Sequence, residues 1–423
     1  MISNSKTGSI LEARIASWPG GLLLGLLAGL LYGWLGPAQY DTSSFPPLAA
    51  AFLHGQDWLS AARPWNELAL RAAGGFYVPM PPGPALALMP FVWRFGLGAV
   101  TDINWVTALF GGLAVWQTYG LLRDLGVRVR DTLVLTLFFA FGSEFLYAAA
   151  TSGHALLPMV LAVLALTAAL RLGVQRRWPL VAGLLLTFAI TNRLPVVFAL
   201  PLLVYLYARD LEPWQTRATH LLRIIARWAL LALPLIVGAI LIGLYNFNRF
   251  GSPLDFGYAL IISGDDQKVR CAMACRYPTT EPWFAAGIES ISYIPRSLSY
   301  MLTSGFHIIN SFPYLKPSWT GLSLLLVMPS LLWLALAPWR TRLAQVAGLS
   351  LALIMLVDLC HGSWGFAQVG YRFILDGLPV AVLLLGLMVA RRGLRWPFLV
   401  AMGFGGLVIW YITVASWVGF IAY

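Results

Sequence analysis

The sequence predicts an all-α polytopic membrane protein with about eleven transmembrane helices, and three observations lead to that fold class. Of the 423 residues 59% are hydrophobic and only 11% are charged, and the mean hydropathy is +0.76. The core of a soluble protein cannot enclose so many apolar side chains. The apolar residues also form separate runs, and basic residues cluster at the ends of those runs. We therefore treat residues 1–423 as a single integral-membrane domain.

Each apolar run is long enough, or nearly long enough, to cross a bilayer. The first run follows an N-terminal stretch without a clear cleavage site, which indicates an uncleaved signal anchor. The predicted spans lie near residues 19–36, 104–122, 132–150, 155–171, 179–191, 195–208, 229–246, 321–337, 344–360, 374–390 and 396–416.

A twelfth apolar run, 84–97, is ambiguous, and the distribution of arginine decides how it is treated. Basic residues concentrate in the cytoplasmic loops of membrane proteins. If 84–97 does not cross, every short arginine cluster falls on one side of the membrane; if it crosses, most of them move to the other side. We therefore predict that 84–97 is a juxtamembrane or re-entrant helix on the outer face.

This topology leaves three long connections on the outer side, 37–103, 247–320 and 361–373. The first is rich in aromatic residues, proline and glycine, and its segment 45–59 has the pattern of an amphipathic helix lying in the membrane interface. The second is aromatic, and we expect it to fold against the membrane surface. We predict juxtamembrane helices in the connection 37–103.

Several classes of function find no support in the sequence. The net charge of +11 comes from clusters at the ends of the runs, which reflects topology and not a nucleic-acid surface. Nucleotide-binding loops and the serine-hydrolase elbow are missing, and no spacing of His, Cys and carboxylates resembles a zinc site. Cys271 and Cys275 lie in the second connection, where a disulfide is sterically allowed in an oxidising compartment, whereas Cys360 is within an apolar run.

Asp41 is the first acidic residue after the first span and a candidate catalytic residue. A partly buried carboxylate at this place can act as a general base, although an acid at a helix end can also be a simple boundary residue. Asp57, Glu67 and Glu144 compete with it for that role. Glu144 is notable because it interrupts the run 132–150 near its outer end, where an ionisable residue is costly and often functional.

Two arginines stand on the side where topology does not favour them, and both are candidates for binding a lipid phosphate. Arg193 interrupts the apolar sequence at the junction of two spans, and Arg372 lies near the end of the last of the three connections. A guanidinium suits bidentate capture of phosphate. Arg193 could instead extend to the interface, and Arg372 could form a structural i, i+4 ion pair with Asp376. Asp358, His361 and His154 lie at the outer ends of spans, where a histidine is usually a satisfied interfacial residue.

Five short blocks make the chain resemble the integral-membrane glycosyltransferases of the GT-C fold, the superfamily that includes protein O-mannosyltransferases and aminoarabinose transferases. Uncharacterised bacterial members are the most similar. The blocks are residues 49–55 (AAAFLHG), 76–84 (FYVPMPPGP), 191–195 (TNRLP), 245–258 (YNFNRFGSPLDFGY) and 370–376 (GYRFILD).

The resemblance implies an inverting transfer of a sugar from a polyprenyl-phosphate donor to an acceptor glycan, lipid or protein of the cell envelope. It places the chain in the bacterial inner membrane, with the active site facing the periplasm or exterior. Asp41 would activate the acceptor, and Arg193 or Arg372 would stabilise the departing phosphate. Residues in a supporting or acceptor-binding role would be Glu144, His154, Tyr77, Asn246, Arg249 and Asp376.

The resemblance implies no cofactor besides the lipid-linked donor, which is a substrate. Many members carry a pair of acids after the first span, whereas here Thr42 follows Asp41, so the resemblance gives no basis for a metal site. Two alternatives remain: a transporter or flippase of a lipid-linked saccharide, and a non-catalytic membrane scaffold of the same fold. A transporter should place ionisable residues near the middle of the membrane and show paired repeats, and this chain shows neither.

Overall fold

The computed structural model of the chain describes residues 5–36, 43–61, 68–100, 104–209, 218–258, 286–318, 320–365 and 368–417. Nearly all regular structure within these ranges is helical. The α-helices are α1 (Ser5–Leu35), α2 (Phe45–Leu53), α3 (Gly83–Phe95), α4 (Leu97–Val100), α5 (Asn104–Asp124), α6 (Val129–Phe141), α7 (Glu144–Thr151), α8 (Leu156–Gln175), α9 (Pro179–Ile190), α10 (Leu200–Ala208), α11 (Ala218–Phe250), α12 (Ile294–Thr303), α13 (Leu324–Val327), α14 (Arg342–Cys360), α15 (Ile374–Arg392) and α16 (Trp396–Trp417).

Short 3-10 helices and two antiparallel hairpins complete the described structure. The 3-10 helices are Leu194–Ala199, Ile291–Tyr293 and Pro329–Leu336. Strands β1 (Ala69–Leu70) and β2 (Phe76–Tyr77) pair in the first connection, with Ala69 opposite Tyr77. Strands β3 (Phe306–Ile308) and β4 (Leu315–Pro317) pair in the second, with His307 opposite Lys316. The fold class is thus the predicted helical membrane protein with two small hairpins added.

Five helices in the described ranges, α8, α14, α15 and most of α11 and α16, are long and apolar enough to cross a membrane. A sixth span results if α6 and α7, which meet at an angle of 53°, are counted as one broken segment. Every predicted apolar run contains a helical segment, including shorter apolar helices in 20–35, 179–190 and 194–208. The chain is an integral membrane protein, but the predicted count of eleven spans is not confirmed.

Glycines let the first helices pack at backbone distance. A Cβ on Gly25 of α1 would lie 2.6 Å from the carbonyl oxygen of Gly112 on α5, and a Cβ on Gly112 would lie 2.5 Å from that of Gly25. Glycines four residues apart along α1, such as Gly25 and Gly29, form the small-residue seam that membrane helices use to approach each other. The buried core around this seam extends to α6, α7 and α15.

The break between α6 and α7 positions Glu144. Ser143 begins the second helix with its Oγ accepting a hydrogen bond from the backbone N–H of Phe145 at 3.3 Å. An N-cap serine of this kind favours a new helix start over continuation of the previous helix. Glu144 is therefore the first residue of α7 and is 1% exposed.

The first connection packs on the helices through its own apolar cluster. Phe45 and Leu48 of α2 and Leu88 of α3 are buried against Leu157 and Leu161 of α8. Helix α3 covers the ambiguous run 84–97 up to Phe95, and α2 covers part of the predicted amphipathic segment. Both confirm helices within 37–103, while the orientation of this connection relative to the membrane stays a prediction.

Candidate functional site

Asp41, the candidate catalytic acid, lies outside the described residues, as does Glu67. The residues that follow Asp41 contact His154, in the loop before α8. The backbone N–H of Ser44 donates to Nδ1 of His154 at 3.4 Å, and the rings of Phe45 and His154 are stacked with centroids 4.5 Å apart. This contact joins the start of α2 to one of the sequence-predicted site residues.

His154 is a neutral imidazole in this position. Burial lowers its pKa to about 4, and the positive charge of Arg372 acts in the same direction. Because Nδ1 accepts the hydrogen bond from Ser44, the proton of the neutral ring is on Nε2. Among the described residues neither Nε2 of His154 nor Oγ of Ser44 has a hydrogen-bond partner, and both atoms are buried.

Arg193 is held by two acids from different helices. Helix α9 ends at Ile190, and Arg193 stands in extended backbone before the 3-10 helix at Leu194. Its Nε donates to both carboxylate oxygens of Asp376 at 2.9 Å, and its Nη2 lies 2.7 Å from Oδ2 of Asp376. Asp358 is more distant, with Oδ1 3.7 Å from Nη2. The carboxylate of Asp376 thus pairs with Arg193, which lies 183 residues away in the chain.

The ion pair keeps Arg193 charged. Burial by itself disfavours the charged guanidinium, but the carboxylate of Asp376 outweighs that cost and raises the pKa of Arg193 above its ordinary value. The Arg193 side chain is 22% exposed, whereas those of Asp358 and Asp376 are 2% and 0% exposed. The arginine is therefore the partly accessible member of the cluster, and the two acids are buried beneath it.

Phe373 brings the two predicted arginines together. The guanidinium carbon of Arg193 lies 5.3 Å from the centroid of the Phe373 ring, and that of Arg372 lies 5.5 Å from it. The two guanidinium carbons are therefore no farther apart than the sum of their distances to this ring. His361 contacts the same ring, with centroids 5.5 Å apart. Arg193, Arg372 and His361, all candidates in the sequence, therefore surround Phe373, which the sequence analysis did not single out.

His361 is also neutral. Burial lowers its pKa to about 4, and the charges of Arg193 and Arg372 act in the same direction. Its Nδ1 contacts the backbone of Ser363, 2.8 Å from the carbonyl oxygen and 3.1 Å from the backbone nitrogen. The positive charge of the site therefore resides on the arginines alone.

Glu144 binds the backbone of the block that carries Arg372. Both of its carboxylate oxygens accept from the backbone N–H of Gly370, at 3.2 and 3.0 Å. A Cβ on Gly370 would lie 3.1 Å from Oε2 of Glu144, so glycine lets the carboxylate approach. Arg372 is near enough to act electrostatically on Glu144. Glu144 thus orients the segment before α15.

Glu289 lies at the edge of the cluster and was not singled out by the sequence. Its segment is bonded to the end of α14: Ser290 N–H donates to Cys360 at 2.8 Å, and Gly362 N–H donates to Ile288 at 2.8 Å. The side chain reaches the surface. Burial of the carboxyl nevertheless raises the pKa of Glu289 to about 7, although the charge of Arg193 acts in the opposite direction.

Arg249, Asn246 and Tyr77 form a separate support near the end of α11. Arg249 is 7% exposed; its Nη1 donates to the carbonyl oxygen of Val78 at 2.8 Å and its Nη2 to Oδ1 of Asn246 at 3.1 Å. Its guanidinium carbon lies 3.7 Å from the centroid of Tyr245 and 6.0 Å from that of Tyr77. These contacts are structural, and they attach the first connection to the beginning of the second.

The five sequence blocks interlock. Phe52 of the first block contacts Tyr245 of the fourth, with centroids 6.0 Å apart. Gly83 of the second donates its N–H to Thr191 of the third at 2.9 Å. Tyr258, the last residue of the fourth block, is close enough to Arg193 to act on it electrostatically. The third and fifth blocks meet in the Arg193–Asp376 pair. Arg249 joins the second block to the fourth.

Across the ranges that the structure describes, no three His, Cys, Asp or Glu side chains are grouped so that they could hold a metal ion. Cys360 is a free cysteine. Cys271 and Cys275 lie outside the described residues.

The solved structures similar to this chain include those of two proteins. ArnT from Cupriavidus metallidurans, solved bound to undecaprenyl phosphate, aligns with a TM-score of 0.49 at 15% identity over 93% of this chain and 63% of that one. The Archaeoglobus fulgidus oligosaccharyltransferase tethered with an acceptor peptide aligns with a TM-score of 0.48 at 14% identity, over 93% of this chain and 54% of that one. Its apo form aligns with a TM-score of 0.44 at 15% identity, over 95% of this chain and 55% of that one.

The chain spans less than two thirds of the length of each of these structures. No protein-family model matches the chain, and no curated protein matches its sequence.

Proposed function

We propose that the protein is a GT-C glycosyltransferase that moves a sugar from a polyprenyl-phosphate donor to an acceptor on the non-cytoplasmic face of the bacterial inner membrane. The observation that carries the proposal is the meeting of the third and fifth resembling blocks in one cluster, with Arg193 and Arg372 against the same ring of Phe373. Two guanidinium groups beside the ends of membrane helices suit the phosphate of a lipid whose chain remains in the bilayer.

The two arginines have different roles in this proposal. Arg193 is already paired with Asp376 and Asp358, so much of its charge is offset and it mainly fixes the geometry of the cluster. Arg372 is the principal phosphate ligand, oriented by the hydrogen bonds between Gly370 and Glu144. Its charge stabilises the phosphate as negative charge develops in the transition state.

In the proposed transfer, a hydroxyl or amine of the acceptor attacks the anomeric carbon of the donor sugar. A new bond forms between that carbon and the acceptor oxygen or nitrogen. The bond from the anomeric carbon to the phosphate oxygen breaks, and its electron pair stays on the polyprenyl phosphate. Asp41 accepts the proton that the acceptor loses. Attack from the face opposite the phosphate inverts the configuration of the sugar.

His154 supports the acceptor side of the reaction. Its Nε2–H is a buried donor without a partner among the described residues, and its other nitrogen is fixed by Ser44, three residues after Asp41. A neutral imidazole held in one tautomer can donate a hydrogen bond to a sugar or acceptor hydroxyl without adding charge.

The experiment separates binding from transfer in full-length protein reconstituted in nanodiscs. For Arg372→Gln we expect the Kd for polyprenyl phosphate to rise by about 10-fold to 100-fold, because charge-assisted hydrogen bonds are lost. Arg128→Gln is the matched control, since the Arg128 side chain is 76% exposed and belongs to the opposite predicted face. For Asp41→Asn we expect retained lipid binding and loss of sugar transfer.

Three results would overturn parts of the proposal. Normal lipid affinity in Arg372→Gln would remove Arg372 from the phosphate site. Full transfer activity in Asp41→Asn would remove Asp41 from the mechanism. Movement of a lipid-linked saccharide across vesicles by the wild-type protein, without formation of a new glycosidic bond, would replace the transferase by a flippase.

A further inference from the structure

The hairpin formed by β3, β4 and residues 309–314 carries large apolar side chains that the described part of the chain leaves exposed. Ile308 is 85% exposed, Phe312 is 70% exposed and Tyr314 is 58% exposed. Side chains of this size, grouped on one projection, form a patch that normally has a partner. The position of the hairpin relative to the membrane helices indicates which partner.

The hairpin is attached to α16 near the end of a membrane span. The hydroxyl of Tyr411 donates to the backbone carbonyl of Leu315, and the rings of Phe306 and Tyr411 are 6.1 Å apart. The span begins at Trp396, so at a rise of about 1.5 Å per residue Tyr411 lies about 23 Å along it, in the last quarter of a hydrocarbon core about 30 Å thick. The attachment is therefore at the level where hydrocarbon gives way to lipid headgroups.

An exposed apolar stripe of α16 runs into the hairpin. Val400, Phe404 and Leu407 are 59%, 49% and 73% exposed, and their spacing of four and three residues puts them on one helix face. Tyr411, four residues beyond Leu407, continues that face. The uncovered apolar face of a membrane-spanning helix contacts lipid, and the hairpin therefore begins where this lipid-facing surface ends.

We propose that the tip of this hairpin inserts into the interface of the bilayer that the chain spans, at the end of α16. Tyr314 is a residue of the kind that forms the aromatic belts at membrane surfaces, and Phe312 and Ile308 supply the apolar contact. Lys316 is exposed on β4, from where its ammonium can reach lipid phosphate while its stem lies on the apolar surface. This inference does not depend on the proposed enzymatic activity.

Fluorescent labelling tests the proposal in the full-length chain. Cys271, Cys275 and Cys360 are replaced by serine, and single cysteines are introduced as Phe312→Cys and Ile308→Cys and labelled with an environment-sensitive probe. Arg128→Cys, at a side chain that is 76% exposed, is the control. The proteins are reconstituted in phosphatidylcholine nanodiscs, and quenching by aqueous iodide is compared with quenching by lipids brominated near the headgroup.

We expect probes at 312 and 308 to be quenched by the brominated lipid and to be about threefold less sensitive to iodide than the probe at 128, because the interface shields them from water. Iodide quenching at 312 and 308 equal to that at 128, without quenching by brominated lipid, would overturn the proposal. Self-quenching between labelled copies, without lipid quenching, would also overturn it, because the occupant would then be a second copy of the chain. A monodisperse elution profile for each variant shows that it is folded.

Discussion

Replacing Asp376 by asparagine tests how strongly the ion pair stabilises the cluster. The substitution keeps the size of the side chain but removes the charge that accepts two hydrogen bonds at 2.9 Å from Arg193. Breaking a buried pair by removing one partner costs about 3–5 kcal/mol. The Arg193 side chain is 22% exposed and retains Asp358 at 3.7 Å, so we expect a loss near the lower limit, about 3 kcal/mol.

The measurement is the free energy of unfolding in mixed micelles as the denaturing detergent is increased. Asp131→Asn is the matched control: Asp131 is also buried and lies 2.8 Å from Arg128, but the Arg128 side chain is 76% exposed, so water solvates the arginine when its partner loses its charge and we expect a smaller loss. A loss for Asp376→Asn no larger than for Asp131→Asn would refute the reasoning. A double-mutant cycle with Arg193→Met should give a coupling energy above about 1 kcal/mol.

Three further changes have expected outcomes. Gly83→Ala should destabilise the fold by about 1–3 kcal/mol, because its Cβ would lie 2.5 Å from the carbonyl oxygen of Thr191. The pKa values of His154 and His361 are lowered from 6.5 to about 4 in the folded protein. As the pH is lowered, these histidines bind protons in the unfolded chain before they do so in the folded one. The free energy of unfolding should therefore decrease as the pH is lowered from about 6.5 to about 4, by up to about 3 kcal/mol for each histidine. Arg249→Met should cost about 2 kcal/mol and expose the first connection to protease, since hydrogen bonds of a charged donor are lost.

Each of these predictions has its own control. Gly98→Ala adds a Cβ with nothing within 4 Å, and a loss equal to that of Gly83→Ala would contradict the steric argument. The pH dependence, followed by thermal melting, should flatten in the double variant His154→Gln and His361→Gln; an unchanged slope would assign it to other groups. Arg94→Met removes an exposed arginine, and equal protease sensitivity in that variant would show that the effect of Arg249 is nonspecific.

The helices were predictable because their signal is local. Each apolar run became a helical segment, and the unusual acid in the run 132–150 marks the place where α6 and α7 separate. The hairpins were not predicted, because strands of two or three residues are too short to show an alternating pattern. The 3-10 helix at 194–199 likewise has no distinct periodicity in an apolar sequence.

The site was predictable in its members but not in its pairing. Arg193 and Arg372 stand out because each is a cation at a place where topology does not require one. The sequence did not show that Asp376 pairs with Arg193, because the two residues are far apart in the chain. Asp376 is also four residues from Arg372, a spacing that made a helical Arg372–Asp376 pair equally plausible. Glu289 gave no signal at all: its place beside the cluster depends on hydrogen bonds between 288–290 and 360–362.

Helix α11 extends beyond the hydrocarbon of the bilayer. The helix Ala218–Phe250 has 33 residues and is about 50 Å long at about 1.5 Å per residue, whereas its uncharged stretch between Arg227 and Arg249 is about 32 Å long, close to the hydrocarbon thickness of about 30 Å. The last turn of the helix therefore stands at the surface of the lipid, where Arg249 binds Val78 of the first connection. A bilayer of different thickness changes the tilt of such a helix, and the acyl-chain length of the surrounding lipids thus becomes a mechanical input to the first connection.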